Sequence, residues 1–196
     1  MGASGNLVER KKAKTRALIQ SVALRLFIEQ GYDETSVEQV AEVAEVGPRT
    51  IYRYFPTKAD LVLFRANQDP MVEAIRAQPR DLSAVQAIRQ AVRAVVGHLS
   101  PEALQIQEQR ERLARSVPEL RARMLDEMAQ SLSAIAAVLG ERSDRAADTD
   151  EVSALAGAVQ GIVMSLWLGE PVGAWRTGVL ERLDRRLALL ETGFHL

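Results

Sequence analysis

The sequence predicts an all-α protein built from a small N-terminal domain, residues 1–57, and a larger C-terminal domain, residues 58–196. Three observations carry this. Apolar residues recur at intervals of three and four along nearly the whole chain, which is the period of one helical face. No stretch alternates apolar and polar residues as a half-buried strand does, and no period of solenoid length repeats. Helix punctuation (Gly, Pro and Ser/Thr-x-x-Asp/Glu pairs) falls between the periodic stretches rather than inside them. At 196 residues and 47% hydrophobic, the chain can bury one small core and one larger one.

The first helix is predicted from about Val8 to Gln30. Leu18, Ile19, Val22, Ala23, Leu26 and Phe27 form its buried stripe, and Gly31 ends it. Arg10, Lys11, Lys12, Lys14 and Arg16 crowd its start, while the net charge of the chain is only −1. The positive charge is therefore local, as in a segment that neutralises phosphates. A second helix, Ser36 to Ala44, places Val37, Val40, Ala41 and Ala44 on one side, and Thr35 with Glu38 reads as its capping box. After the turn Glu45-Val46-Gly47, Pro48 occupies a first helical position, where its missing N–H costs nothing. The third helix turns Ile51 and Phe55 inward and leaves Arg49, Thr50, Tyr52, Arg53 and Tyr54 facing largely outward. No acidic residue occurs between Val46 and Ala59, and Lys58 adds a further cation. Two short helices, a tight turn and a basic-aromatic outer face are the form in which a small domain enters a major groove about 12 Å wide.

Thr57 with Asp60 opens a fourth helix carrying Leu61, Phe64 and Met71, which is expected to connect the domains, and Pro79 bounds whatever follows it. Further helices are predicted from Leu82 to Leu99, with Ile88, Val92 and Val95 inward, and from Pro101 to Arg115, capped by Ser100. Ser116 and Glu119 read as a capping box for a long helix bearing Leu120, Met124, Met128, Leu132, Ile135 and Leu139, which Gly140 ends; Glu141 to Asp150 reads as a loop. Residues 151–168 carry Val152, Leu155, Val159, Ile162, Val163 and Leu166 with Ala154, Gly157, Ala158 and Gly161 interleaved, so that helix is apolar or small around most of its circumference. Residues 171–191 present Val172, Trp175, Val179, Leu183, Leu187 and Leu190 on one stripe. More apolar helix is present here than one subunit has interior for, and these last two helices are expected to pair across a homodimer.

The stretch from about Arg10 to Leu63 resembles the DNA-binding domain of the tetracycline-repressor (TetR) family. The resemblance rests on Gly31-Tyr32, Thr35-Ser36-Val37, Val40-Ala41, Thr50-Ile51-Tyr52, Tyr54-Phe55, Lys58 and Leu61. Two positions depart from the family pattern: Glu45 stands where Gly is usual in the turn, and Gly47 where Ser or Thr usually caps the recognition helix. The resemblance implies a helix-turn-helix regulator, most simply a repressor, that binds a palindromic double-stranded DNA operator as a homodimer and responds to a small molecule. Its recognition helices would sit in successive major grooves, about 34–36 Å apart. The DNA-contacting set is then Thr35, Ser36, Pro48, Arg49, Thr50, Tyr52, Arg53, Tyr54 and Lys58. Arg49 and Thr50 are the candidates for base edges; by resemblance, Ser36, Tyr52, Tyr54 and Lys58 meet phosphate or sugar. Candidate effector-binding residues are Phe64, Met71, Val92, Met124, Met128, Met164 and Trp167, since Met and aromatic side chains adapt to apolar ligands. The segment RERLARSVPELRAR is also similar to regulators of that family that answer to fatty acyl-CoA.

Other chemistries find little support. His98 and His195 are the only histidines and cysteine is absent, which excludes disulfides and thiolate metal sites and disfavours a histidine-based triad. Glu102, Glu108, Glu111, Asp126 and Glu127 lie on helices among arginines, the pattern of exposed ion pairs. No glycine-rich phosphate loop occurs, so no enzyme, no cofactor and no metal centre is expected. Neither a signal peptide nor an apolar run of membrane-spanning length is read, which leaves a cytoplasmic protein with no membrane partner. Two other classes fit the same helices: an architectural or corepressor-dependent DNA-binding protein without a ligand cavity, and a helical interaction module. A closed C-terminal core would favour the first, and absence of salt-sensitive duplex binding the second.

Overall fold

The structure, a computed structural model, describes residues 3–63, 70–172 and 178–193. Among these residues all regular structure is helical: α1 (Ala3–Gln30), α2 (Val37–Val43), α3 (Pro48–Tyr54), α4 (Asp60–Leu63), α5 (Pro70–Arg76), α6 (Ala84–Val96), α7 (Pro101–Ser116), α8 (Pro118–Ser143), α9 (Asp150–Gly169) and α10 (Val179–Thr192). The chain forms two compact units. One joins residues 1–64 to residues 109–123; the other joins 65–108 to 124–196.

In the first unit α1 supplies Ile19, Ala23 and Phe27 to a core completed by Val40, Ile51 and Phe55, all at most 2% exposed. The chain leaves α1 through Gly31, whose φ of 99° is a left-handed conformation that strains any side chain. Tyr32 then folds back on Phe27, ring centroids 5.0 Å apart. The cap of α2 differs from the expected Thr35–Glu38 pair. Ser36 is the N-cap: its hydroxyl accepts from the Gln39 N–H at 3.1 Å, and its own N–H donates to Gln39 Oε1 at 2.7 Å. Thr35 is wholly buried, its hydroxyl 2.8 Å from the Gly31 carbonyl, and it satisfies the end of α1 instead. Residues 109–123 add Leu113, Ala114 and Leu120 to this unit's interior, and Arg123 faces the buried carboxylate of Asp60 at 3.7 Å. Ser116 does not form the expected capping box; its hydroxyl donates to the Leu113 carbonyl at 3.3 Å.

The turn between α2 and α3 explains how Glu45 replaces glycine. The Val46 N–H donates to the Ala41 carbonyl at 3.0 Å and the Glu45 N–H to the Glu42 carbonyl at 3.1 Å, the two bonds of a Schellman motif. That motif places Glu45 in the left-handed region, at φ 54°. A left-handed non-glycine costs roughly 1–2 kcal/mol, and the hydrogen bonds and buried flanks of the turn hold it there.

The second unit is a helical core of Ile75, Ile88, Ala91, Val92, Ile135, Val138, Leu139, Val152, Ala156, Val159, Leu166, Val179, Leu183 and Leu187. Arginines close its seams. Arg142 donates to the carbonyls of Ile75, Gln78 and Pro79, capping the C-terminal end of α5. Arg89 grips Asp184 with two bonds of 2.9 Å. Those bonds hold the Asp184 carboxyl at a pKa of about 2, against burial, with Arg93 assisting.

Several expected boundaries move. Gly140 lies inside α8 rather than ending it: a Cβ there would come within 2.8 Å of the Arg145 carbonyl, so the glycine serves the close return of the chain. Gly178, at φ 82°, delays α10 to Val179, leaving Pro171 and Val172 outside the helix, while Trp175 lies outside the described residues. An apolar stretch of spanning length does exist, contrary to expectation. α9 runs 20 residues at a mean hydropathy of 1.6. Its Val152, Ala156, Val159 and Leu166 are buried in the helical core, while only 28% of the apolar window is covered.

The strained turn generates a test. Glu45→Gly removes the left-handed penalty but loosens the unfolded chain, and should raise stability by about 0.5 kcal/mol. Glu45→Val, β-branched where φ is positive, should lower it by more than about 1 kcal/mol. Chemical denaturation measures both; equal stabilities for the two variants would mean that the turn carries no such strain.

Candidate nucleic-acid interface

α3 is only seven residues long and starts without a side-chain cap; Gly47 at its N-cap and Pro48 at its first position set its direction. Ile51, 1% exposed, and Phe55, fully buried, anchor it. Of the other positions, Pro48, Arg49, Tyr52 and Arg53 face outward. Arg49, Tyr52 and Arg53 are exposed and Thr50 is half-buried. Together these four line an open hollow of about 470 Å³. Guanidinium groups, a hydroxyl and an aromatic ring around one hollow can donate to base acceptors and phosphates and pack against sugars or the thymine methyl.

The remaining candidates separate. Pro48 is exposed, and Ser36 sits at the N-terminus of α2 with its hydroxyl engaged in the cap. Thr35 differs from the others: its side chain is buried and its hydroxyl donates to carbonyls of its own scaffold, Gly31 at 2.8 Å and Leu26 at 3.4 Å. The Lys58 ammonium lies 4.4 Å from the centroid of the Tyr32 ring and 5.8 Å from that of Phe27. The cation is thereby held in place by ring quadrupoles. Tyr32 itself stays neutral: burial first, then the nearby Glu119 carboxylate, pushes its hydroxyl pKa above the ordinary tyrosine value. Tyr54 is half-buried with the Arg53 guanidinium 5.3 Å and the Arg16 guanidinium 5.6 Å from its ring. Reading the sequence by helix faces missed that last partner as a neighbour of α3. Its signal was the spacing of Arg16 from Ile19 and Ala23, which carries the inward stripe of α1 one turn beyond the core.

The candidate effector residues are less gathered. Val92 belongs to the core of the second unit and Met71 packs against it. Met128 is buried, Met124, Met164 and Trp167 are half-buried, and Phe64 lies outside the described residues. None lines the hollow on α3, nor the shallower one of about 350 Å³ formed by Leu132, Ser133, Ala136, Ala147, Asp148, Ser153 and Ala156.

Comparison with known proteins agrees with this geometry. Residues 19–63 match the family described as bacterial regulatory proteins, tetR family, and residues 82–195 match the MftR C-terminal domain. The transcriptional regulator TcmR of Streptomyces glaucescens is 39% identical over 95 residues, 47% of this chain and 42% of TcmR. The regulator YuxN of Bacillus subtilis is 38% identical over 56 residues, 29% of this chain and 19% of YuxN. The chain thus spans less than half the length of either relative. Among solved structures, a TetR-family regulator from Mesorhizobium loti shares the fold at a TM-score of 0.54 and 20% identity, over 94% of this chain and 98% of that one. NalD of Pseudomonas aeruginosa, the secondary repressor of the MexAB-OprM multidrug efflux pump, shares it at 0.50 and 22%, over 93% and 95%. Members of the matched family are DNA-binding regulators and not enzymes. With its N-terminal helix-turn-helix and its C-terminal helical domain both matched, the chain belongs to the TetR family of transcriptional regulators.

Proposed function

We propose that the protein is a ligand-responsive repressor in the cytoplasm that binds a palindromic operator as a homodimer and is released by a small apolar or acyl-type effector. Residues 1–57 would read DNA, and residues 58–196 would bind the effector and dimerise. The observation that carries the DNA-binding part is the outer face of α3, where Arg49, Thr50, Tyr52 and Arg53 surround one open hollow. Arg49 and Thr50 are assigned to base edges. Tyr52, Tyr54, Lys58 and Ser36 at the α2 N-terminus are assigned to the backbone. Effector binding is assigned to the Met- and aromatic-containing part of the C-terminal domain, at Met71, Val92, Met124, Met128, Met164 and Trp167.

Dimerisation is supported by what α9 and α10 leave uncovered. Leu168 is 63% exposed and Leu189 41%. Gly157 and Gly161 have nothing within 4 Å of where a Cβ would lie. Each costs about 1 kcal/mol relative to alanine in a helix, and nothing among the described residues requires either. A second copy of α9 passing close to that face would.

Arg49 and Lys58 should separate in their effects. On a duplex selected from a random pool, Arg49→Ala is expected to cost roughly 1–3 kcal/mol and relax preference at one position. Lys58→Ala should weaken all duplexes alike and lower the salt slope by about one. The same loss on selected and scrambled DNA for both variants would refute the assignment. For assembly, Gly157→Leu with Gly161→Leu should yield a folded monomer by light scattering where the wild type is a dimer. A variant that remains dimeric at the same concentration would place the interface elsewhere.

A further inference from the structure

The basic cluster at the start of the chain is not a separate arm. α1 is continuous from Ala3 to Gln30, so its cations are carried on a rigid helix. Ile19 and Ala23, both fully buried, mark the side of α1 that faces the core. Counting back along that side, Arg16 lies three residues before Ile19 and Lys12 four before Arg16, so both share the inward-facing stripe but lie beyond the end of the core. What Arg16 meets there is the recognition helix: its guanidinium is 5.6 Å from the centroid of the Tyr54 ring, whose other cationic neighbour is Arg53 at 5.3 Å. A ring flanked by two guanidinium groups stabilises both by its quadrupole and limits their rotamers. It also places two positive charges, from two different helices, at the C-terminal end of α3.

We infer that Arg16, together with Lys12 on the same stripe, forms a preorganised phosphate clamp at the end of the recognition helix, with Tyr54 serving as its platform. The ligand is the sugar-phosphate backbone flanking the major groove that α3 enters. The assignment rests on the DNA-binding reading above and deepens it. A planar guanidinium carries its N–H donors in its own plane, where a phosphate can take two of them. Ordering it beforehand reduces the side-chain entropy lost on binding. In this account Tyr54 acts through Arg16 and Arg53 and not by stacking on a base.

The test is the salt dependence of binding to a random-sequence duplex of about 30 base pairs, followed by fluorescence anisotropy. Each phosphate contact contributes about 0.9 to the slope of log affinity against log salt. Arg16→Ala should lower the slope by about one per bound subunit and Arg16→Lys should keep it. Tyr54→Leu, which removes the ring, should lose part of the Arg16 contribution to the slope. Circular dichroism and the melting temperature identify any variant that fails to fold, and Arg16→Gln then replaces Arg16→Ala. An unchanged slope in a folded Arg16→Ala or Arg16→Gln protein, with only the melting temperature reduced, overturns the clamp and leaves Arg16 as packing. Wild-type protein that binds duplex without salt dependence overturns the DNA-binding reading as a whole.

Discussion

A helix of seven residues does not persist alone in water, so α3 exists only because Ile51 and Phe55 are buried. The rest of the first unit can be understood as support for those two contacts. α1 brings Ile19, Ala23 and Phe27 beneath them, and α2 brings Val37, Val40 and Ala41 from the side. Because only two side chains point inward, the remaining positions of α3 are free to carry cations, hydroxyls and rings. The scaffold and the outer face are thus separated residue by residue along the same two turns or so of helix.

The polar chemistry around this small core is arranged to finish helix ends. Thr35 accepts burial because its hydroxyl finds the Gly31 carbonyl, Ser36 and Gln39 close the start of α2, and Thr57 and Asp60 close the start of α4. Asp60 is 5% exposed, a costly place for a carboxylate, and is satisfied by the Thr57 hydroxyl and backbone N–H at 2.8 Å on one oxygen, with Arg123 facing the other. Aromatic rings hold the cations of the surface: Lys58 on Tyr32, and Arg16 and Arg53 on Tyr54. Side chains held this way would lose little freedom on binding DNA, as the proposed function requires. Arginine plays a structural part in the second unit, where Arg142 and Arg89 terminate and join helices.

Much of this was legible in the sequence, for physical reasons that differ by element. The stripes of α2 and α3 were readable because a helix against a core must repeat its apolar residues at fixed spacing, and Pro48 marks a start that few other conformations accept. The cap of α2 was misread because Thr35 and Ser36 are adjacent and both suit an N-cap; only tertiary burial decides which turns inward, and neutral Gln39 then replaces Glu38. Gly140 and Gly178 show the same ambiguity from the other side. Glycine can end a helix, permit a close approach or take a left-handed φ, and sequence alone does not distinguish the three. The placement of Arg16 on Tyr54 joins residues 38 positions apart and has no local signal beyond helical phase. Side-chain type alone does not mark an effector site, since Met or Trp serves a plain core as well as a ligand. Val92 illustrates this, since it belongs to the packed interior of the second unit.

The central claim is that two copies of α3 read two major grooves of one duplex. A hydroxyl-radical footprint on a duplex selected by the wild-type protein tests it most directly. The account predicts two protected segments related by two-fold symmetry, their centres about one helical turn, 10–10.5 base pairs, apart. A single asymmetric protected segment, or no protection at a concentration where the protein is dimeric, would contradict it.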